Sequence, residues 1–155
     1  AYKQKDDLAN AKVHLRLATE LDPRIAEAHY TLGVVHWQDG EFADAIRELR
    51  AAAAVNPQYA DAHYLLGTVL KQSGKPDEAI DSLKEAIRLN PATPGPFTLL
   101  GQILRAKGDT AGSRQAFAEA AHIKKHKESE QKISFDRAVM QSVGPATGIR
   151  VEAKP

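Results

Sequence analysis

Residues 26–57 and 60–91 of this chain carry nearly the same text. The first stretch reads AEAHYTLGVVHWQDGEFADAIRELRAAAAVNP and the second ADAHYLLGTVLKQSGKPDEAIDSLKEAIRLNP. Equivalent residues lie 34 apart: Gly33 and Gly67, Gly40 and Gly74, Ala45 and Ala79, Pro57 and Pro91. A unit of this length cannot bury its apolar face alone, so it must stack on its neighbours. The period therefore restricts the chain to a stacked array more firmly than its composition does.

Each unit divides into two helices. Ala45, Ile46, Leu49, Ala52 and Ala53 fall at helical spacing, and second helices are expected over about 42–55, 76–89 and from 110 onward. Gly40, Gly74 and Gly108 stand where a first helix must stop, as residues that accept positive φ. Asn56-Pro57, Asn90-Pro91 and Asp22-Pro23 set an N-cap residue before a proline, which predicts that each pair opens the next helix. Gly33, Gly67 and Gly101 lie inside first helices, where glycine costs roughly 1 kcal/mol against alanine. Close approach of the paired helix is the expected compensation.

Leu32-Gly33, Ala45, Leu49 and Pro57, with Leu66-Gly67, Ala79, Leu83 and Pro91, fit the pattern W-x2-L-G-x2-Y…A-x3-F…P. On these residues the sequence resembles the tetratricopeptide repeat family over roughly residues 1–125. It departs from the pattern with His29 and His63 in the tryptophan place, and with His36 and Leu70 in the tyrosine place. The resemblance implies an all-α fold: an open right-handed α-solenoid of antiparallel helix pairs, with about seven or eight helices. It also implies a non-enzymatic scaffold that binds a peptide or helix in its concave groove. The alternative is a recruiting or regulatory region of a longer enzyme, for example a glycosyltransferase, whose catalytic domain is absent from this chain. Chaperone-tail binders of the family clamp a carboxylate with Lys and Asn, and the groove row Val34, Thr68, Gln102 has no Asn. Arrays of O-linked N-acetylglucosamine transferases carry an asparagine ladder where this chain has Thr31, Leu65 and Leu99. Neither subclass is supported.

The repeat frame divides the chain into five parts. Residues 1–23 read as the end of one first helix and all of its second, since Ala11, Leu15, Ala18 and Pro23 align under Ala45, Leu49, Ala52 and Pro57. Such a start suggests a fragment of a longer array. Repeats follow at 24–57 and 58–91. A degenerate repeat occupies 92–132, with Ser113 for the small alanine and Lys125 for the closing proline, and its first helix is expected to start near Pro94. Its last helix is expected to run to about residue 131. In 133–155, Ile133, Phe135, Val139, Met140 and Val143 are read as a short capping segment, followed by a polar tail.

Several chemistries are disfavoured. The 21 basic and 20 acidic side chains balance, which argues against a nucleic-acid surface, and no run of 18 apolar residues predicts membrane insertion. The absence of cysteine removes thiolate ligands and nucleophiles. It leaves the compartment open, with a soluble, cytoplasmic setting slightly favoured. No phosphate-binding glycine loop or nucleophile elbow occurs. His122 and His126 have a metal-compatible spacing but no evident third ligand, and His29 and His63 read as packing. No catalytic residue, cofactor or metal site is therefore assigned.

The informative feature is a second stripe on the first helices, which line the concave face in the resembled family. It comprises Glu27, Tyr30, Val34, Trp37 and Gln38, then Asp61, Tyr64, Thr68, Lys71 and Gln72, then Thr98, Gln102 and Arg105. A helix with one buried face has no folding reason for rings on another, and Tyr and Trp anchor interfaces. These residues are the expected peptide-binding groove, with Tyr30, Trp37 and Tyr64 exposed. The charges are expected to grade from acidic at one end to basic at the other. The partner is expected to be a protein or peptide, with self-association through the C-terminal tail or the open N-terminal edge as a further option.

Overall fold

The computed structural model describes residues 2–143. Seven helices follow one another: α1 (Tyr2–Leu21), α2 (Ala26–Gln38), α3 (Phe42–Val55), α4 (Ala60–Gln72), α5 (Pro76–Leu89), α6 (Pro94–Ala106) and α7 (Thr110–Ser142). Helices α2/α3, α4/α5 and α6/α7 form tight antiparallel pairs, and the pairs stack as an open right-handed solenoid. No strand occurs among the described residues.

Glycine sets the geometry twice in each pair. Gly40, Gly74 and Gly108 take φ of 77°, 74° and 85°. The amide that follows each one bonds back to a carbonyl five residues earlier, as in Glu41 N–H to His36 O at 2.9 Å, which closes the first helix. A Cβ on Gly33 would lie 2.8 Å from Leu49 Cγ, and one on Gly67 would lie 2.8 Å from Leu83 Cγ. The leucine of each second helix therefore occupies the space that glycine leaves. Leu32, Leu49, Leu66 and Leu83 are buried. Leu100 and Phe117, 34 residues after Leu66 and Leu83, are only half-buried. Among the described residues no further helix pair covers α6/α7, and Phe97, Leu100, Leu104 and Ala116 line an open hollow of about 240 Å³ there.

The proline pairs do something other than expected. Asn56 and Asn90 end α3 and α5 rather than starting the next helices, which begin at Ala60 and Pro94. Asn56 Oδ1 accepts from Gln58 N–H at 3.1 Å, Asn90 Oδ1 from Ala92 N–H at 3.3 Å and Asp22 Oδ1 from Arg24 N–H at 3.0 Å. Each side chain thus folds the link into a local turn, a use of Asn and Asp that competes with N-capping.

Both ends depart from the repeat frame. Residues 2–21 form one helix with no turn at position 6, because Asp6 stands where the later repeats have Gly40, Gly74 and Gly108. At the other end α7 runs 33 residues without a break near 131. No proline or positive-φ glycine stops it, and 133–143 therefore extends away from the array instead of capping it. Phe135 is 68% and Met140 79% exposed. The tail expected over 144–155 lies outside the described residues.

Helix α2 is the only described element packed against α1, and Val13, Leu17 and Leu21 on α1 are exposed. The join is ionic. The Lys12 ammonium bridges Asp39 and Glu41, at 2.8 Å from Glu41, and Glu41 Oε2 lies 2.5 Å from Nδ1 of the fully buried His36. Hydrogen bonds from Lys12 and then His36 push the Glu41 carboxyl down to about 2. A depressed carboxyl contributes stability above its ordinary value near 4.5, and that contribution is lost as pH falls toward 2. The α1 amides should therefore exchange before those of α4 at neutral pH, and their protection factors should fall further on acidification through that window. Glu41→Gln should remove the acid-dependent part. Equal protection of α1 and α4 at every pH would contradict this account.

Candidate functional site: the inner face of the first helices

Helix α2 touches α4, and α4 touches α6, whereas α3, α5 and α7 make no such contact with one another. The first helices therefore lie on the inner side of the curve, and their shared outer stripe is the concave face.

The expected residues fall into rows that cross the array. Glu27 and Asp61 lie in the first turns of α2 and α4 and are exposed. Tyr30, Tyr64 and Thr98 come one turn later and are half-buried. Val34 and Thr68 are half-buried, and Gln102, in the same row, is exposed. Trp37, Lys71 and Arg105 close the opposite side, with Trp37 half-buried and both cations exposed. Gln38 and Gln72 beside them are exposed. The two carboxylates thus stand on one rim and the two cations on the other. The main division of charge runs across the face, because all first helices point the same way. A grading along the array was expected instead.

The rings are not free on the surface. Tyr30, Trp37 and Tyr64 pack against the buried core. Trp37 Nε1–H donates to Gln72 Oε1 at 2.6 Å, and Lys71 Nζ donates to Gln102 Oε1 at 2.7 Å. These two bonds join α2 to α4 and α4 to α6 along one rim. The Tyr64 hydroxyl lies 2.6 Å from where a Cβ on Gly95 would sit, so a side chain at 95 would displace the tyrosine ring. Arg105 lies 5.9 Å from the centre of the Phe117 ring.

Tyr59 joins this surface although the stripe did not include it. It precedes α4, and its ring centre is 5.0 Å from that of Tyr30, with planes at 39°. Its position in a link between helices hid it from a helical period.

The histidines of the tryptophan place are structural. His29 Nε2 and His63 Nε2 each lie 3.1 Å from the carbonyl of the proline six residues earlier, Pro23 and Pro57. His29 Nδ1 also meets Glu48 at 2.8 Å. Ligand atoms of His36, Glu41 and Asp44 lie within 4.8 Å of one another, a set that chemically suits a divalent cation. Lys12 already supplies positive charge to Glu41 there, and His36 Nε2 lacks the second partner that usually orients a metal-binding imidazole. An internal ion cluster is the better description.

The tetratricopeptide repeat family model matches residues 1–49, 30–94 and 67–127. The chain belongs to the tetratricopeptide repeat family. Two solved structures of MamA are 30% identical to it. One has a TM-score of 0.78, with 83% of this chain and 75% of that chain covered; the other has 0.74, with 83% and 70%. A MamA segment from Desulfovibrio magneticus RS-1 shares the fold at 22% identity and a TM-score of 0.72, covering 80% of this chain and 70% of that one. No curated protein matches the chain. Tetratricopeptide arrays serve as protein-interaction scaffolds, and no helix among the described residues is long and apolar enough to cross a membrane.

Proposed function

We propose that this array is a non-catalytic interaction module that holds an extended or helical peptide along its concave face. The observation that carries the reading is the continuous strip over α2, α4 and α6. Half-buried Tyr30, Val34, Trp37, Tyr64 and Thr68 form its floor, and the Trp37–Gln72 and Lys71–Gln102 bonds fix its spacing. A strip already ordered in the free protein loses little entropy when a ligand settles on it. Amphipathic aromatic side chains give such a surface apolar contact area without large exposed hydrophobic patches.

Self-association is a second reading, favoured by the free end of α7. Phe135, Val139 and Val143 repeat every four residues there and are all exposed, so they share one side of the helix. That end is one source of a helical ligand for a neighbouring copy.

One experiment addresses both. The chain is used to select from a displayed library of 12-residue peptides, and the selected peptides and a synthetic peptide of residues 121–143 are titrated against it. Thr68→Arg sets a long side chain in the middle of the strip without touching the leucine core. It should weaken binding at least tenfold, about 1.4 kcal/mol, with an unchanged melting temperature. Unchanged affinity in Thr68→Arg would remove the concave face from the account.

A further inference from the structure

We propose that His122 and His126 bind one divalent transition-metal ion on the exposed surface of α7, with Glu130 holding the His126 ring in place. The site lies off the concave face, since that face is built from the first helices and α7 is a second helix. It does not depend on the reading above.

Spacing alone left these two histidines without a third group. The structure supplies it. Helix α7 runs through residues 122–130 without a break, so His122, His126 and Glu130 stand four apart in one row on its surface. His126 Nδ1 lies 3.6 Å from Glu130 Oε1. This is an ion-pair distance that a small side-chain rotation closes to a hydrogen bond. An imidazole whose Nδ1–H points at a carboxylate presents its Nε2 lone pair on the other side, and metal-binding histidines are oriented in this way. Two histidines four apart on a helix can then set their Nε2 atoms on one ion, as helical zinc sites do.

The histidines of the array proper differ. His29 and His63 face proline carbonyls through Nε2, and His36 is fully buried against Glu41. Among the described residues no hydrogen bond holds the His122 ring, and Glu130 is the only acid in ion-pair reach of His126. Both rings are exposed, and both line the same two open hollows. One hollow, of about 370 Å³, is shared with Ile123 and Lys127, and the other, of about 260 Å³, with Lys125 and Ser129. At roughly 100° per residue, 123 and 127 fall on one side of the row and 125 and 129 on the other. The row is therefore a ridge with room for a hydrated ion on either flank. Its base is firm. Ala120 is buried, and Ala92 from the link between α5 and α6 lines the larger hollow, so this part of α7 still lies against the array. Donors on a braced helix hold their geometry better than donors on a loop.

A His–Glu pair four apart has a simpler use, since such pairs support an exposed helix. That use leaves His122 unexplained, because its neighbours in the row are Ala118 and His126. The donor set also selects the ion. Imidazole suits zinc, nickel and copper, whereas magnesium and calcium require oxygen ligands. Lys125 and Lys127 flank the row and oppose any cation, so the site favours ions with a strong preference for nitrogen, Cu²⁺ ahead of Ni²⁺ and Zn²⁺. The remaining coordination positions are open to water.

The test uses the whole untagged chain, stripped of metal and titrated separately with Cu²⁺, Ni²⁺, Zn²⁺ and Mg²⁺ by calorimetry. The three transition metals should saturate at one ion per chain, Cu²⁺ most tightly, and Mg²⁺ should not bind. In NMR spectra Zn²⁺ should shift the ring resonances of His122 and His126 and leave those of His29, His36 and His63 in place. His122→Ala and His126→Ala, both at exposed positions, should each weaken Ni²⁺ about tenfold or more while circular dichroism stays unchanged. His126→Ala with Lys127→His keeps two histidines but moves one off the row, and it should bind as weakly as His126→Ala. Glu130→Ala should weaken binding about tenfold, and Glu130→Gln, which keeps an acceptor for the Nδ1–H, should retain most of the affinity. The proposal is overturned if no transition metal saturates, if Mg²⁺ acts as Ni²⁺ does, or if either histidine variant or the displaced-histidine variant binds like the parent. Glu130→Gln as weak as Glu130→Ala would overturn the orienting role of Glu130. Zn²⁺ shifts at His36 instead of His122 would place the ion in the Lys12–Glu41 cluster and equally overturn it.

Discussion

Leu83→Ala should lower the unfolding free energy of the array by about 2–5 kcal/mol, the range for truncating a buried leucine. Leu83 is fully buried in the central pair, and its branch point lies 2.8 Å from where a Cβ on Gly67 would sit. Gly67→Ala should destabilise by a different route. Alanine gains roughly 1 kcal/mol of helix propensity over glycine, but the added methyl overlaps Leu83 and forces helices α4 and α5 apart, with an overpacking cost of about 1–3 kcal/mol. In the double variant the new methyl occupies part of the space that the leucine vacated. Its cost should therefore fall short of the sum of the single costs by at least about 0.5 kcal/mol, a coupling expected only of residues in contact. Urea unfolding of the four proteins measures it. Additive costs would show that the two helices can separate freely and that the glycine is not required by the leucine.

That pair also shows what the sequence discloses and what it hides. Glycine recurring inside a helix, with leucine 16 residues on, announces a close helix contact because no other physical need explains it. Likewise Gly40, Gly74 and Gly108 disclose the first-helix ends, since positive φ has few other occupants. The Asn-Pro pairs disclose less. A side chain that accepts from a backbone amide can open a helix or fold a link, and only the position of Ala60 and Pro94 decides which. The length of α7 was concealed for the opposite reason: no stop signal follows residue 110 until past 142, and a change in composition near 132 carries no backbone instruction. Within the candidate site, spacing placed Tyr30, Val34 and Trp37 on one side of α2. Depth depends on the neighbouring repeat, so neither the half-burial of Trp37 nor the arrival of Tyr59 beside Tyr30 could be read from a period. The Lys12–Glu41–His36 cluster was hidden in the same way, since its lysine comes from another repeat.

Trp37 separates packing from recognition. Its ring packs against the core, and its N–H bonds Gln72 in the next repeat. Trp37→Ala should therefore lower the melting temperature, and it should also weaken the selected peptides by about 2 kcal/mol, a hot-spot loss. Either result alone has two explanations, because a loosened junction between α2 and α4 would also deform the strip. Trp37→Phe resolves them. Phenylalanine keeps most of the apolar contact but has no N–H, so stability should fall by about 1 kcal/mol, the net worth of one hydrogen bond. If the aromatic surface is what the peptide meets, affinity in Trp37→Phe should stay within a fewfold of the parent. If binding depends on the spacing that the Trp37–Gln72 bond maintains, Gln72→Ala should weaken peptides as strongly as Trp37→Phe does. Full affinity in Trp37→Ala alongside a lowered melting temperature would assign the ring to the core alone and leave Tyr30, Tyr59 and Tyr64 as the aromatic part of the site.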